Sequence, residues 1–292
     1  MTKLAFMSTT APRWTAQELV DGAVRLGYEG VDVRVDWGHN HGLELDSSQE
    51  TRQQARQYAV SQGITWSCVA LSTRFARATE AERQDAVEQV KRYAELAHEL
   101  GSPLLRVFGG NVPEGHTMAS LRPQTAEYLG RAAEAAAQWG VTPCLEVHDQ
   151  HNNPDDVVWI LENAKHGNVG TVWHVAHHVR LGISVDDGYA KLRPWVRHLH
   201  IQELPKDYEA GQQPNYTRVG EGNDYLARVF ELLERDKFGG FAANEWAATG
   251  NWQQADQSKP EHYDAANPDE SLGNTAKHLS RWRDDARKKA TR

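Results

Sequence analysis

The chain has 292 residues, with 32 Lys and Arg against 40 Asp and Glu, which gives a formal net charge of −8. This acidic balance provides no general electrostatic attraction to nucleic acid or to an anionic membrane, so we expect a small or neutral partner. No apolar run approaches the roughly 20 residues of a membrane span, and no signal-peptide pattern is visible at the N-terminus, which predicts a cytoplasmic protein.

Short strand-like runs alternate with amphipathic helical patterns along the whole chain. The eight predicted strands, in chain order, are KLAFMS, GVDVRV, TWSCVAL, PLLRVFG, TPCLEV, GTVWHV, VRHLHI and GFAANEW. Several helical segments between them, such as TAQELVDGAVRLG, close on a glycine suited to a left-handed helix end. Strand, helix, glycine and strand again is typical of right-handed βαβ units. Eight such units predict an α/β protein built as a single (β/α)8 TIM barrel over residues 1–292, with an open doubly wound sheet as the alternative.

Two long polar connections follow the last two predicted strands, at residues 203–224 and 247–270. Loops after the strands of an α/β barrel build the active site, so these connections are expected beside it. The run VGEGND, at 219–224, lacks the glycine spacing of a nucleotide-binding loop and is predicted to be a tight turn leading into a helix. The tail, about residues 271–292, predicts an amphipathic C-terminal helical extension that ends in basic residues.

Four ionisable residues stand near the carboxyl ends of four consecutive predicted strands: Glu146, His174, His200 and Glu245. Because the carboxyl ends of parallel strands meet at one rim of a barrel, we expect these side chains to converge there. A mixture of oxygen and nitrogen ligands suits Mn²⁺, Co²⁺, Zn²⁺ or Fe²⁺ better than Ca²⁺. Burying several ionisable groups together is costly unless a metal or mutual pairing compensates, so the pattern predicts a metal site, with paired polar groups at strand ends as the alternative.

The segment TVWHVAHH, residues 171–178, contains three histidines, of which the first lies at the end of a predicted strand and the other two follow it. His174 ends the sixth strand and would bind metal, His177 lies one turn further and would bind substrate, and His178 would turn aside. A helical zinc pair of His174 and His178 is the competing hypothesis. The metalloprotease motif requires a Glu directly after the first His, and Val175 stands there, so the sequence does not favour that hypothesis.

Other residues predicted to face the barrel mouth are Arg34 on strand two, Arg106 on strand four and His148 on strand five. Each could hold a hydroxyl, carboxylate or phosphate oxygen of a substrate, or could instead be an ion-paired barrel residue. Three tryptophans stand at predicted loop or strand ends, where an aromatic wall could stack on a sugar ring: Trp14, Trp37 and Trp246. Packing in the core or against a subunit partner is the alternative for these rings.

These motifs resemble the xylose-isomerase-like TIM-barrel superfamily, the sugar phosphate isomerase/epimerase family. The resemblance spans nearly the whole chain and is carried by LGYEGVDVR, LGSPLLRVFGG, LEVHD, HLHIQE and VGEGNDYLARVFELLERDKFGGFAANEW. It implies a metal held by Glu on strand five, Asp on strand six, His on strand seven and Glu on strand eight. The corresponding positions here are Glu146, His174, His200 and Glu245.

Position 174 departs from the pattern of the family. The chain has His174-Val175-Ala176-His177 where the family has Asp-x-x-His, and His177 matches the histidine that contacts substrate. A neutral imidazole in place of a carboxylate removes one negative charge around the metal. The site is therefore expected to favour zinc or later transition metals, or to bind metal less tightly.

The resemblance implies a metal-dependent isomerase or epimerase that acts on a ketose or cyclitol through an enediolate intermediate. Glu146 and Glu245 would exchange protons with the substrate as base and acid, and one divalent ion, Mn²⁺, Co²⁺ or Zn²⁺, would be the cofactor. Loss of a β-hydroxyl from the same intermediate would instead make the protein a dehydratase or lyase resembling inosose dehydratase. The partner would be a small polyhydroxylated substrate, and a homo-oligomer is compatible with the resemblance.

Two further classes of protein stay open. His174 is the main support for a sugar-binding barrel whose catalysis is impaired. A repair enzyme resembling endonuclease IV would need additional His and carboxylate ligands for several metals and a basic surface for DNA. His39, His41 and His116 are candidates for such ligands, whereas the net charge argues against DNA binding.

Overall fold

Eight parallel strands follow one another around a closed barrel, and the last strand pairs with the first. The structure, a computed structural model, describes residues 1–212, 216–245 and 267–290. The strands are β1 (Lys3–Met7), β2 (Gly30–Arg34), β3 (Thr65–Arg74), β4 (Leu104–Phe108), β5 (Thr142–Glu146), β6 (Gly170–His174), β7 (Val196–Ile201) and β8 (Phe241–Asn244). Closure of the sheet confirms the predicted single (β/α)8 barrel and excludes the doubly wound sheet.

Helices fill the connections between the strands. They are α1 (Ala16–Leu26), α2 (Gln49–Ser61), α3 (Glu80–Leu100), α4 (Met118–Ala137), α5 (Pro154–Asn163), α6 (Val175–Val179), α7 (Val185–Leu192), α8 (Tyr225–Arg235) and α9 (Pro268–Ala290). Helix α1 shows how local sequence sets their ends: Thr15 and Glu18 form a reciprocal capping box at its start, and Gly27 closes it with φ 80°. Helix α9 covers most of the tail for which a C-terminal helix is predicted. None of the helices described is long and apolar enough to cross a membrane.

Alternation along the strands separates an apolar outer face from a polar interior. On β7, Leu199 and Ile201 join the main hydrophobic core beneath the helices, whereas His198 and His200 are buried on the other face. On β4, Arg106 is likewise buried on the inner face between core residues that point outward. The barrel interior therefore carries ionisable groups near its carboxyl end, and the apolar core lies between the strands and the surrounding helices.

Candidate metal and substrate site

Four ionisable side chains meet inside the barrel where β5 to β8 end. Glu146, His174 and Glu245 offer potential ligand atoms that all lie within 4.8 Å of one another. The Nδ1 of His200 lies 2.7 Å from Glu146 Oε1 and 3.9 Å from Glu245 Oε1. The structure thus brings together the four residues that the strand ends predict, and their roles as metal ligands stay a prediction.

Hydrogen bonds and burial fix the charges of this cluster. Burial alone would raise the pKa of Glu146, but the positive charges of Arg106 and His200 hold that pKa well below its usual range. Burial and Glu146 oppose ionisation of Glu245, yet His174 and His200 lower its pKa to about 2. Burial works against a charged His200, but Glu146 and Asp32 raise its pKa to about 10. Both glutamates are therefore ionised at neutral pH.

His174 is a neutral imidazole because burial lowers its pKa. Its Nε2 donates a hydrogen bond to Glu245 Oε2 over 2.7 Å. Its Nδ1 is buried and has no hydrogen-bond partner within the described part of the chain. A buried nitrogen lone pair without a hydrogen-bond partner is expected of a residue that can ligate a metal. Two carboxylates with two imidazoles are a suitable donor set for a divalent transition ion. The residues present therefore fit such an ion, provided that His200 passes to Glu146 the Nδ1 proton that it donates there.

A second buried group lies deeper in the barrel and is built around Asp32 of β2. Asp32 Oδ2 accepts hydrogen bonds from His198 Nε2 at 2.7 Å and from His200 Nε2 at 3.1 Å, and Oδ1 accepts one from Ser67 Oγ at 2.5 Å. Burial would raise the pKa of Asp32, but His198 and His200 lower it. His200 therefore directs one ring nitrogen to Asp32 and the other to Glu146, an arrangement that fixes the orientation of a metal-binding imidazole in other proteins.

Asp32 is a member of the buried cluster that is not predicted from the sequence. The available signal was alternation: Asp32 and Arg34 share one face of the GVDVR strand, so an inward Arg34 implies an inward Asp32.

A cavity of about 200 Å³ opens beside this cluster. Its lining includes Glu245 and four of the predicted substrate-binding residues, namely Arg34, Arg106, His148 and His177. The lining also includes Trp37, Ser72, Arg74, Phe108, Asp149, Gln202 and Tyr216. His148 lies two residues beyond the end of β5, in the following loop. These placements agree with a role in substrate binding, which remains a prediction.

The expected contact between Trp14 and substrate stays a prediction. Trp14 is not among the residues that line the cavity. Its ring lies against α1, so close to Gly22 that a Cβ at that position would come within 2.3 Å of the ring, and it makes an edge contact with Phe6. The ring therefore packs a helix onto the barrel. Trp246, the third tryptophan considered, lies outside the described residues.

The three histidines of residues 171–178 take different environments. The ring of His177 lies 4.1 Å, centroid to centroid, from those of His148 and His174, and burial holds the pKa of His177 well below its usual range. His178 is buried elsewhere, where its Nε2 accepts a hydrogen bond from Trp173 Nε1 at 2.9 Å. His178 belongs to neither group of potential metal ligands among the described residues, so the structure does not support the His174–His178 zinc pair.

The loop after β7 is held to the strand end by Glu203. The buried Glu203 carboxylate accepts a hydrogen bond from the Gly220 N–H at 2.5 Å. A Cβ at Gly222 would lie 2.3 Å from the carbonyl oxygen of Leu204, so the close approach requires glycine. VGEGND thus forms a tight turn before α8, as predicted, and it keeps Gln202 at the cavity wall.

The additional histidines needed by an endonuclease are not part of these clusters. Two groups of potential metal ligands exist within the described residues, and neither contains His39, His41 or His116. His39 Nδ1 lies 3.2 Å from Ser8 Oγ, and His41 Nε2 lies 2.9 Å from the carbonyl oxygen of Arg34. These two residues have local partners close to the end of β2.

The barrel carries a cluster of glutamates and histidines at the carboxyl ends of its strands, and this combination of fold and site can be compared with known families. The family model of the xylose isomerase-like TIM barrel matches residues 20–279. The chain belongs to this family, which confirms the resemblance seen in the sequence. A comparison with curated proteins finds no significant match.

Solved structures with the same fold include several enzymes. D-psicose 3-epimerase from Clostridium cellulolyticum H10 is 14% identical with a TM-score of 0.75, and 98% of this chain and 99% of that chain are covered. The probable 3-DHS dehydratase AsbF from Bacillus anthracis is 16% identical with a TM-score of 0.75, with 96% and 99% covered. The IolI protein, solved with a zinc atom, is 17% identical with a TM-score of 0.76, with 99% of each chain covered. At these identities the likeness establishes the fold alone.

Proposed function

We propose that this protein is a metal-dependent enzyme that isomerises or epimerises a ketose or cyclitol through an enediolate intermediate. The observation that carries the proposal is the convergence of two ionised glutamates and two histidines beside a cavity. Membership of the xylose isomerase-like family and the 3-epimerase among its fold relatives support the same reaction type.

Glu146, His174, His200 and Glu245 would hold one divalent ion, for which Mn²⁺, Co²⁺ and Zn²⁺ are the candidates. Such an ion supplies a Lewis acid that polarises a carbonyl group and acidifies the neighbouring C–H bond. Zinc is supported by the zinc atom in IolI and by the imidazole at position 174. Arg106 donates a hydrogen bond to Glu146 Oε2 at 2.7 Å, which leaves Oε1 directed at His200 and the cluster.

Proton transfer is assigned to the two glutamates. Glu245 lines the cavity and is ionised, so it can accept a proton from a substrate carbon. Glu146 would receive the Nδ1 proton of His200 over their 2.7 Å hydrogen bond, and would return it to the other face of that carbon for epimerisation or to the neighbouring carbon for isomerisation. His177, a neutral imidazole on the cavity wall, would donate a hydrogen bond to a substrate oxygen.

Dehydration is the second candidate reaction. It is supported by the neutral His177 at the cavity, which would donate a hydrogen bond to the departing hydroxyl group, while the proton that Glu245 takes from carbon would pass to that hydroxyl so that it leaves as water. The dehydratase among the fold relatives supports it as well. A sugar-binding barrel without catalysis remains the alternative outcome, which His174 in place of the family Asp supports.

Metal content and proton exchange test the proposal together. The protein would be loaded separately with Mn²⁺, Co²⁺ and Zn²⁺, analysed for bound metal, and incubated with a panel of ketoses and keto-cyclitols in D₂O. We expect about one ion per chain and deuterium at a substrate carbon, both of which are lost in Glu245→Gln. Glu162→Gln, at an exposed glutamate near the end of α5, is the matched control. Bound metal without exchange would support the binding protein, and absence of metal in all three preparations would overturn the proposal.

A further inference from the structure

Three arginines contribute to the wall of the cavity: Arg34, Arg74 and Arg106. Two of them face carboxylates: Arg106 Nη1 lies 2.7 Å from Glu146 Oε2, and Arg74 Nε lies 3.5 Å from Asp149 Oδ2. Arg34, the third, forms no ion pair within 4.0 Å with any residue in the described ranges. It is therefore the cation of this cavity without a contacting counter-charge.

Arg34 is buried, at 3% relative exposure, and its hydrogen-bond partners are all neutral. Its Nη1 donates to the carbonyl oxygens of Val35 at 2.7 Å and Ala70 at 2.9 Å, and its Nη2 donates to Ser72 Oγ at 2.6 Å. The guanidinium also lies 4.2 Å from the centroid of the Trp37 ring. These hydrogen bonds hold the guanidinium in place and leave two of its five N–H donors for a ligand. A buried cation with neutral partners is costly unless an anion accompanies it.

Arg106 adds to this cationic field. Burial lowers the pKa of Arg34 and the charge of Arg106 lowers it further, whereas the carboxylates of Glu245, Asp36 and Glu146 raise it from beyond ion-pair distance. The Nε of Arg106 is buried and has no hydrogen-bond partner among the residues that the structure describes. Both lining carboxylates already have a partner, because Asp149 faces Arg74 and Glu245 accepts a hydrogen bond from His174. Neither of these two carboxylates forms an ion pair with Arg34.

We propose that the substrate of this site carries an anionic oxygen group, a carboxylate or a phosphate, which Arg34 binds directly. This inference rests on the proposed function and specifies its substrate class: an acidic hydroxyketone in place of a neutral ketose. The planar guanidinium fork matches two oxygens of such a group, and Arg106 adds attraction from the neighbouring side of the cavity. The anion would lie at the β2–β4 side of the mouth, and the reacting carbonyl would lie towards Glu245.

Calorimetric binding to the full chain tests this inference with three hexulose probes that differ in charge. The probes are neutral D-fructose, 5-keto-D-gluconate with its carboxylate, and D-fructose 6-phosphate. We expect one of the two anions to bind at least about tenfold more tightly than D-fructose, and we expect this preference to weaken as salt is added. The stronger of the two identifies the anion as carboxylate or phosphate.

Arg34→Gln is expected to remove the preference, so that the anionic probes bind no more tightly than D-fructose does, and Arg92→Gln, at an exposed site on α3, should keep the preference of the wild type. If Arg34→Gln does not fold, Arg34→Lys keeps the charge but loses the fork, and it should weaken binding of the anionic probe. Equal affinity for all three probes, or an unchanged preference in the folded Arg34 variant, would overturn the inference. Titrations with and without added metal show whether the preference for the anionic probe depends on bound metal. Metal content and proton exchange are measured separately, so failure of this inference can be distinguished from failure of the proposed function.

Discussion

Replacement of Asp32 by Asn tests whether the buried carboxylate behind His200 prepares the site for metal. Asp32 accepts three hydrogen bonds, from Ser67, His198 and His200, whereas an Asn side chain has one oxygen to offer. The two histidines share Oδ2, and an uncharged amide oxygen in that place would accept their hydrogen bonds less strongly than the carboxylate does, while the amide NH2 would leave Ser67 Oγ without its acceptor. His200 would lose the charged partner that fixes its ring with Nδ1 towards Glu146.

Loss of such a partner typically reduces metal affinity by about 10- to 100-fold, which corresponds to about 1.4 to 2.7 kcal/mol. A buried donor left without its acceptor should also lower the free energy of unfolding of the metal-free protein by about 1–3 kcal/mol. The dissociation constant for Co²⁺ would be measured by competition with a chromophoric chelator, and the visible spectrum of bound Co²⁺ would report the geometry of the ligands.

The exposed Asp85→Asn on α3 is the matched control and should change neither quantity. If Asp32→Asn binds Co²⁺ with wild-type affinity and an unchanged spectrum, Asp32 does not orient His200 for metal and the reasoning is refuted. A fall in stability alone would show that the carboxylate serves only the interior of the barrel.

Three other substitutions give distinct expectations. Trp14→Ala should lower the free energy of unfolding by up to about 3 kcal/mol, because the Trp14 ring packs against Gly22. The dissociation constants for sugar probes should stay unchanged. Weaker sugar binding in the folded variant would indicate that Trp14 contacts the substrate. His178→Ala removes the acceptor of the Trp173 indole N–H, so denaturant unfolding should show a free energy of unfolding lower by about 1–3 kcal/mol. The metal content should stay normal. Loss of metal would support the His174–His178 zinc pair. His174→Asp should strengthen Mn²⁺ binding measured by electron paramagnetic resonance, because a carboxylate suits Mn²⁺ better than an imidazole does; unchanged Mn²⁺ affinity would argue against position 174 as a ligand.

Much of the architecture could be predicted because each unit carries its own local signals. The period of the strands and the glycines that close the helices predict the βαβ units, and closure of the barrel follows from their number. The meeting of Glu146 with Glu245 follows from the same reasoning, because both stand where a strand ends. Such features depend on sequence position and the direction of the strand, which the chain shows directly.

Other features depend on register and packing, which the sequence does not show. Strand β3 runs on to Arg74, beyond the apolar run TWSCVAL, and this extension places Ser72 and Arg74 at the cavity. The pairing of Arg106 with Glu146 requires the β4–β5 register, in which Glu146 lies opposite Phe108 and Arg106 lies opposite Cys144. The position of the Trp14 ring depends on the bare surface of a helical glycine. Each of these features needs three-dimensional neighbours that no single run of residues specifies.

The interior hydrogen bonds join into one continuous path across the barrel. It runs from Arg106 through Glu146 and His200 to Asp32 and His198, so each member holds the next in charge and orientation. Residues coupled in this way respond to substitution as a set, and the effects of double substitutions should depart from the sum of the single ones. Engineering a new metal preference or substrate into this barrel would therefore require a combinatorial library that varies these positions together. A substitution that improves binding at one position would do so only when its hydrogen-bonded neighbours are changed to match.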